Sequence, residues 1–187
     1  MMKHMYRIPF VELLSADALE RVLELLTPVS LKKNELLISD TRLERNAYIV
    51  QQGILREFVH TDGRELTFWF AREGDIVTSS YGYFYQRRGY ENFQALEDCQ
   101  LLRIDVAGMQ QLYRQFIDIA NWSRVVTEHE SILSEERHLD YILLSPEERY
   151  LKLLSSQPEL FQRVKLKDIA SFLGISPVSL SRIRARI

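Results

Sequence analysis

One cysteine, Cys99, stands among 187 residues, with only five prolines and seven glycines. A lone cysteine excludes an intrachain disulfide, and one chain cannot supply the thiolates of a structural zinc or iron–sulfur site. Apolar runs long enough to cross a bilayer are missing, and the N-terminal MMKHMYRIPF lacks the apolar stretch of a secretory signal. A cytoplasmic protein is expected. A phosphate-cradling glycine loop and a Ser/His/Asp arrangement are missing too. Of the histidines, His4, His60, His129 and His138, only His60 falls in the strand-patterned region. A metal-dependent barrel enzyme would need several clustered there. Neither an enzyme nor a metal site is expected.

What the chain does have is material for a core. It is 46% hydrophobic, 11% aromatic and 27% charged, which excludes wholesale disorder. Its length suits one medium and one small domain. The net charge of −2 conceals an asymmetry. Residues 1–140 carry 16 Lys/Arg against 22 Asp/Glu, whereas residues 141–187 carry 8 against 4. An acidic body with a basic tail points to parts with different partners, although a solvated basic helical face would give the same excess.

Residues 9–27 read as a helix opened by Pro9 and ended at Thr27-Pro28, with Ser15 able to start a second turn. From Val29 to Ile104 the pattern changes to short β-branched and aromatic strands about ten residues apart, such as Ala47–Val50, Ile54–Val59 and Glu65–Phe70. Thr61-Asp62-Gly63-Arg64 is a tight hairpin signal, with further turns at Gly53 and Gly74-Asp75. Many short strands with turns between them predict a jelly-roll-sized barrel. Residues 105–140 return to helix. There Ile119, Trp122, Val126, His129 and Leu133 alternate at intervals of three and four, a seam that Ile132 widens. That seam reads either as a dimer interface or as an amphipathic face packed on the barrel.

Residues 141–187 read as a small helical unit. Ser145-Pro146-Glu147-Glu148 is a strong helix start. In Leu166–Arg184, Ile169, Ala170 and Leu173 form an inner face, Gly174 supplies the turn and Ile175 anchors it. Ser176 caps a second helix whose Leu180 and Ile183 point inward. Val178, Ser179, Ser181, Arg182 and Arg186 then face outward. Small residues at the start of a helix let it approach a DNA groove, and arginines one turn apart can read guanine or hold phosphate.

This order of helix, jelly roll, long helix and helix-turn-helix resembles the Crp/Fnr family of bacterial transcription regulators, in particular its short Bacteroidetes-type members. The resemblance spans nearly the whole chain. It is carried by Ala47–Gly53, Thr61–Glu65, Ala71–Asp75, Tyr90–Ile104 and, most specifically, Glu148–Leu154 with Ile169–Arg184. It implies an α+β fold: a cyclic nucleotide-binding-like β-barrel over 1–104, a dimerisation helix over 105–140 and a helix-turn-helix over 141–187. It also implies a homodimer on a near-palindromic double-stranded DNA operator, with RNA polymerase as a further partner. With Ile187 inside the second helix, a domain lacking most or all of the family's β-hairpin wing is expected.

Cyclic-nucleotide binders of this family use a Gly-Glu pair and then an Arg-Ser/Thr pair. Here Thr78 and Ser79 stand at the first pair and Gly89-Tyr90 near the second, with Arg87 and Arg88 just ahead. The ribose-binding carboxylate has no counterpart, so cyclic AMP is not the expected effector. Thr78, Ser79, Tyr81, Arg87, Arg88 and Tyr90 remain as a candidate pocket for another small molecule. Tyr81, Tyr83, Phe84, Tyr85 and Tyr90 either line it or fill the barrel core, and Arg87-Arg88 is either a solvated pair or an anion site. Cys99 reads as core and His129 as a seam residue. The competing functional reading is a sensing module that has lost DNA binding.

Overall fold

The computed structural model describes residues 6–186, so His4 and Ile187 lie outside it. Two four-stranded antiparallel sheets make the barrel. One runs β1(Leu26–Leu31)–β8(Cys99–Ile104)–β3(Ala47–Gln52)–β6(Ile76–Thr78). The other runs β2(Leu36–Ile38)–β7(Asn92–Ala95)–β4(Leu55–Thr61)–β5(Arg64–Ala71). The helices are α1(Ala16–Glu24), α2(Ser80–Tyr85), α3(Val106–Gln115), α4(Ile117–Leu143), α5(Pro146–Ser156), α6(Leu160–Arg163), α7(Leu166–Phe172) and α8(Pro177–Arg184).

Local chemistry accounts for most boundaries. The β4–β5 turn places Asp62 at φ 47° and Gly63 at φ 74°, the left-handed pair of a tight hairpin. The Ser15 hydroxyl caps α1 by accepting from the Ala18 N–H. The predicted helix over 9–27 is therefore shorter than expected: Val11–Leu13 is a 3-10 turn, and Leu14 is extended before the cap. Thr27 and Pro28 belong to β1. Proline is tolerated there because β1 is an edge strand, whose free side needs no N–H. The predicted helix over 105–140 is two helices, broken where Phe116 is extended (φ −125°, ψ 107°). Cys99 is fully buried between the sheets, and burial raises its thiol to about 11. It is a packing residue, as its apolar setting predicts.

Three apolar clusters divide the interior. The first packs α1, α3 and the start of α4 on one sheet, and the second lies between the sheets. The third joins Ile54 and Phe70 of the barrel to Tyr150, Leu153, Leu160, Ile169, Leu173, Leu180 and Ile183 of the C-terminal helices. The helical unit is thus docked on the outer face of the β4–β5 hairpin. As the edge strand of its sheet, β5 has backbone groups free of ladder partners. The Ser171 hydroxyl on α7 meets two of them, accepting from the Thr67 N–H (3.0 Å) and donating to the Glu65 carbonyl (2.9 Å).

The pair at the centre of this joint is buried. The Arg56 guanidinium donates to the Asp168 carboxylate of α7, with side chains 4% and 5% exposed, and also pairs with Glu65. It lies 4.2 Å from the centre of the Phe58 ring. At the rim, Arg163 donates to Glu73 (2.7 Å) and Glu97, and Arg72 pairs with Glu159. Burial pushes the Glu73 carboxyl up, but the Arg163 and backbone hydrogen bonds outweigh it and hold it at about 2. Asp168→Ala strips Arg56 of its buried partner. It should cost about 3–5 kcal/mol, read from the urea midpoint of the intact chain. A loss under about 1 kcal/mol would mean that the pair does not hold the joint.

Candidate nucleic-acid interface and barrel mouth

The C-terminal helices have the geometry of a helix-turn-helix. α5 begins with a complete capping box between Ser145 and Glu148 and with Pro146 in its first turn. Between α7 and α8 the chain reverses at Gly174 (φ 69°), where any Cβ would strike the Tyr141 ring at the end of α4. Arg149 clamps the same corner. It donates to the carbonyls of Tyr141 and Leu144 and, at 2.9 Å, of Leu173. Ser176 caps α8 by accepting from the Ser179 N–H (3.1 Å), and the two hydroxyls are bonded at 2.9 Å.

Leu180 and Ile183 are buried, which fixes the rotation of α8. Val178, Ser181 and Arg182 are exposed together on its free side, with Ser179 half-buried beside its cap and Arg186 exposed in the turn after the helix. The structure therefore brings three of the predicted outward residues onto one accessible face. Arg184 is exposed as well.

The predicted seam on α4 needs correction. Ile119 and Trp122 are 0% and 2% exposed, inside the chain's own core, and the Trp122 indole donates to the Pro9 carbonyl (2.7 Å). Val126, His129 and Leu133 line a cavity of about 230 Å³ with Pro9, Phe10, Gly74, Asp75, Ile76 and Glu130. Ile119 and Trp122 thus pack within the chain, the other of the two readings the spacing allowed, while Val126 and Leu133 are half-buried and His129 is exposed. The apolar residues left open on α4 are Ile117, Ile132, Leu139, Tyr141, Ile142 and Leu143, of which Ile132, Leu139, Ile142 and Leu143 form a stripe. Two apolar stripes are interleaved on this helix, and the more regular one starts in the chain's own core.

The candidate pocket residues also divide. The Thr78 hydroxyl donates to the Asn46 carbonyl, and the buried Ser79 hydroxyl caps α2 by accepting from the Gly82 N–H. Gly82 is required, because a Cβ there would collide with the Glu44 carbonyl. Tyr81 packs against Tyr85 and Tyr90 (5.5 and 5.6 Å between ring centres), and the Arg87 guanidinium covers Tyr81 and Tyr85. Arg88 is exposed. Phe84 (75% exposed), Tyr85 and Tyr90 sit on the surface, so these aromatics do not fill the core; Tyr83 alone of the five packs against it.

Residues 28–116 match the family described as the cyclic nucleotide-binding domain. Among solved structures, FixK2 from Bradyrhizobium japonicum superposes with a TM-score of 0.72 at 19% identity, covering 86% of this chain and 83% of that one. A CooA mutant from Carboxydothermus hydrogenoformans gives 0.70 at 18%, covering 96% and 83%. The regulator CLP of Xanthomonas campestris, described as responsive to c-di-GMP, gives 0.69 at 19%, covering 92% and 91%. The chain shares the fold of these solved structures. Curated protein sequences yield no significant match.

The inward face of β4 and β5, at the barrel mouth, has an unexpected charge. Strand alternation puts Arg56 and Phe70 outward under α7. Their neighbours Glu57 and Trp69, a cross-strand pair, face inward with Leu55, Ala71 and Phe93. Burial, with the nearby Glu91 carboxylate, raises Glu57 to about 7, opposed by Arg137 of α4. Asp75 and Glu130 are also raised, chiefly by burial. Asp75 is legible in the sequence only as a turn residue, and nothing there gives a role to Glu57, Glu91, Glu130 or Arg137, nor to Arg56, Asp168 or Arg149. The available signal was a charged pair, Arg56-Glu57, inside the otherwise apolar run Ile54–Val59.

Among the described residues, no group of His, Cys, Asp and Glu is arranged to hold a metal ion, and no helix is long and apolar enough to cross a membrane. His60 is exposed, 3.4 Å from an Asp40 oxygen.

A carboxyl raised in the folded state binds its proton more tightly there than in the unfolded chain, so it costs stability as pH rises from about 4.5 to about 7. Glu57→Gln should remove that slope. Relative to the parent, it should gain at most about 3 kcal/mol at pH 8 and little at pH 4.5, followed by urea unfolding across the pH range. A gain of the same size at both pH values would show that the carboxyl does not titrate as described.

Proposed function

We propose that this chain is a sequence-specific DNA-binding transcription regulator that acts as a homodimer and does not use cyclic AMP. The observation that carries the reading is α8: a helix rotated by its buried Leu180 and Ile183 so that Val178, Ser181 and Arg182 lie together on an open face, with the exposed Arg186 in the turn just beyond it. Arg182 is the proposed base-reading residue, with Arg186 on phosphate or base edge and Ser176 and Ser179 closing the helix start near the backbone. Paired across a dimer, two such helices would enter major grooves about 34 Å apart.

The proposed dimer contact is the open stripe of α4, Ile132, Leu139, Ile142 and Leu143, in place of the stripe that starts in the core. Three functional parts follow: a sensor barrel over 1–104, a connecting helix from 105 to about 140, and the DNA-binding unit over 141–187. Two features speak against cyclic AMP. The Thr78 and Ser79 hydroxyls are already engaged, and the inward face of β4 and β5 carries a carboxyl, Glu57, that does not favour an anionic ligand. The proposed effector pocket is therefore centred on the barrel mouth, with Tyr81, Arg87, Arg88 and Tyr90 at its rim.

Selection of fragmented source-genome DNA on the purified chain at about 150 mM salt, with and without cyclic AMP, should enrich one inverted-repeat motif in both conditions. Enrichment only with cyclic AMP would overturn the effector reading. No enrichment in either would favour a sensing module without DNA binding. Arg182→Ala should lose roughly 1–3 kcal/mol at the selected site and relax the base preference there, measured by competition binding. Unchanged affinity and preference would refute the assignment.

A further inference from the structure

A cation already sits at the mouth of the barrel. The Arg137 guanidinium, reaching in from α4, lies 5.3 Å from the centre of the Trp69 ring. It is close enough to Glu57, Asp75 and Glu130 to favour the ionised form of each. Glu57 and Trp69 stand opposite each other on the inward face of β4 and β5. Glu91, two positions ahead of the inward-facing Phe93, comes to the same place and acts on Glu57 through its charge.

Glu91 is not satisfied. Its side chain is buried, with the residue 4% exposed. One carboxylate oxygen accepts from the Tyr90 N–H (3.0 Å), while Oε1 is buried without a hydrogen-bond partner. A buried carboxylate oxygen left unpaired is costly, and the group that would satisfy it is a donor. On the inward face Glu57 and Glu91 stand against the one guanidinium of Arg137, with Arg87 and Arg88 only at the rim, so a cationic donor is favoured there over a phosphate or another anion. The wall opposite is aromatic, and its face already attracts a guanidinium.

Resting on the sensor-barrel reading above, we propose that the barrel mouth binds a small organic cation, a guanidinium or primary amine on a short alkyl stem. The cation would sit against Glu91, Glu57 and the Trp69 face and would displace Arg137. The same two strands carry Arg56 and Phe70 on their other side, against α7. Occupancy of the inward face therefore acts on strands that also hold the DNA-binding unit.

The test is calorimetric titration of the full chain with agmatine, which carries a guanidinium and an amine on a butyl stem. It should be run on the parent, on Arg137→Ala and on Arg137→Ala combined with Glu57→Gln and Glu91→Gln. Removing the tethered competitor should tighten agmatine binding roughly tenfold or more, with a change in Trp69 fluorescence that the Trp69→Phe variant lacks. The carboxamide variant should lose the binding, and cyclic AMP and inorganic phosphate should not compete.

No agmatine binding by folded Arg137→Ala at millimolar concentration would overturn the proposal, as would binding indifferent to the two carboxamides. If circular dichroism shows Arg137→Ala misfolded, Arg137→Gln gives the same comparison. DNA selection on the same parent preparation separates the two readings. Enrichment of a motif without agmatine binding defeats this proposal alone. Agmatine binding without any motif defeats the regulator reading alone.

Discussion

Burying an arginine between two structural units is costly unless its charge and its donors are met on arrival. Arg56 is met at its two terminal nitrogens, by Asp168 of the docked helix and by Glu65 of the neighbouring strand, and the Phe58 ring lies against it, while its buried Nε has no hydrogen-bond partner. Apolar contact alone would hold the C-terminal helices against the barrel without fixing their angle. A charged pair at the centre of the contact fixes it, because a shifted register would leave both Arg56 and Asp168 buried without partners. Ser171 adds a second alignment, since its hydroxyl fits only where the free edge of β5 offers a donor and an acceptor together. The orientation of α8, and so the direction in which Arg182 and Arg186 point, follows from these contacts through the shared core of α7 and α8.

The hairpin that receives the helices is also a wall of the barrel mouth. Strand geometry sends adjacent residues to opposite faces, so Arg56 and Glu57 belong to different sites although they are neighbours in sequence, as do Phe70 and Trp69. A shift of the hairpin on one side is felt on the other without any intermediate chain of contacts. The helix α4 completes the arrangement: Arg137 touches the inward face at Trp69, and Tyr141 packs on the Gly174 turn that sets the entry to α8. One helix thus contacts both the inward face of the hairpin and the turn that leads into α8.

Much of this architecture is legible in the sequence, and the legible parts share a property. Asp62-Gly63, Ser145-Pro146 and Gly174-Ile175-Ser176 fix local backbone geometry whatever surrounds them, so the hairpin, the cap and the helix-turn-helix can be read directly. The Phe116 break carries no proline or glycine to announce it. Pro28 announces a helix end but lies in an edge strand, because pairing with β8 outweighs its turn preference. The α4 seam stays open in the sequence for a different reason: spacing identifies an apolar face but not whether it meets the barrel or a second chain. Arg56, Asp168, Glu57 and Glu91 become a site only through contacts between segments far apart in the chain, and single-chain pattern reading has no access to those.

The account stands on the C-terminal helices being docked on the β4–β5 hairpin as one cooperative unit. Native-state hydrogen exchange of the full chain tests this most directly, by comparing amide opening in α7 with that in β4 and β5. The account predicts that the amides of Ile169–Phe172 open with the same free energy as those of Leu55–Phe58, and that both respond together when Arg56 is replaced. Exchange of α5 to α8 at low opening free energy, while β4 and β5 remain protected, would contradict it.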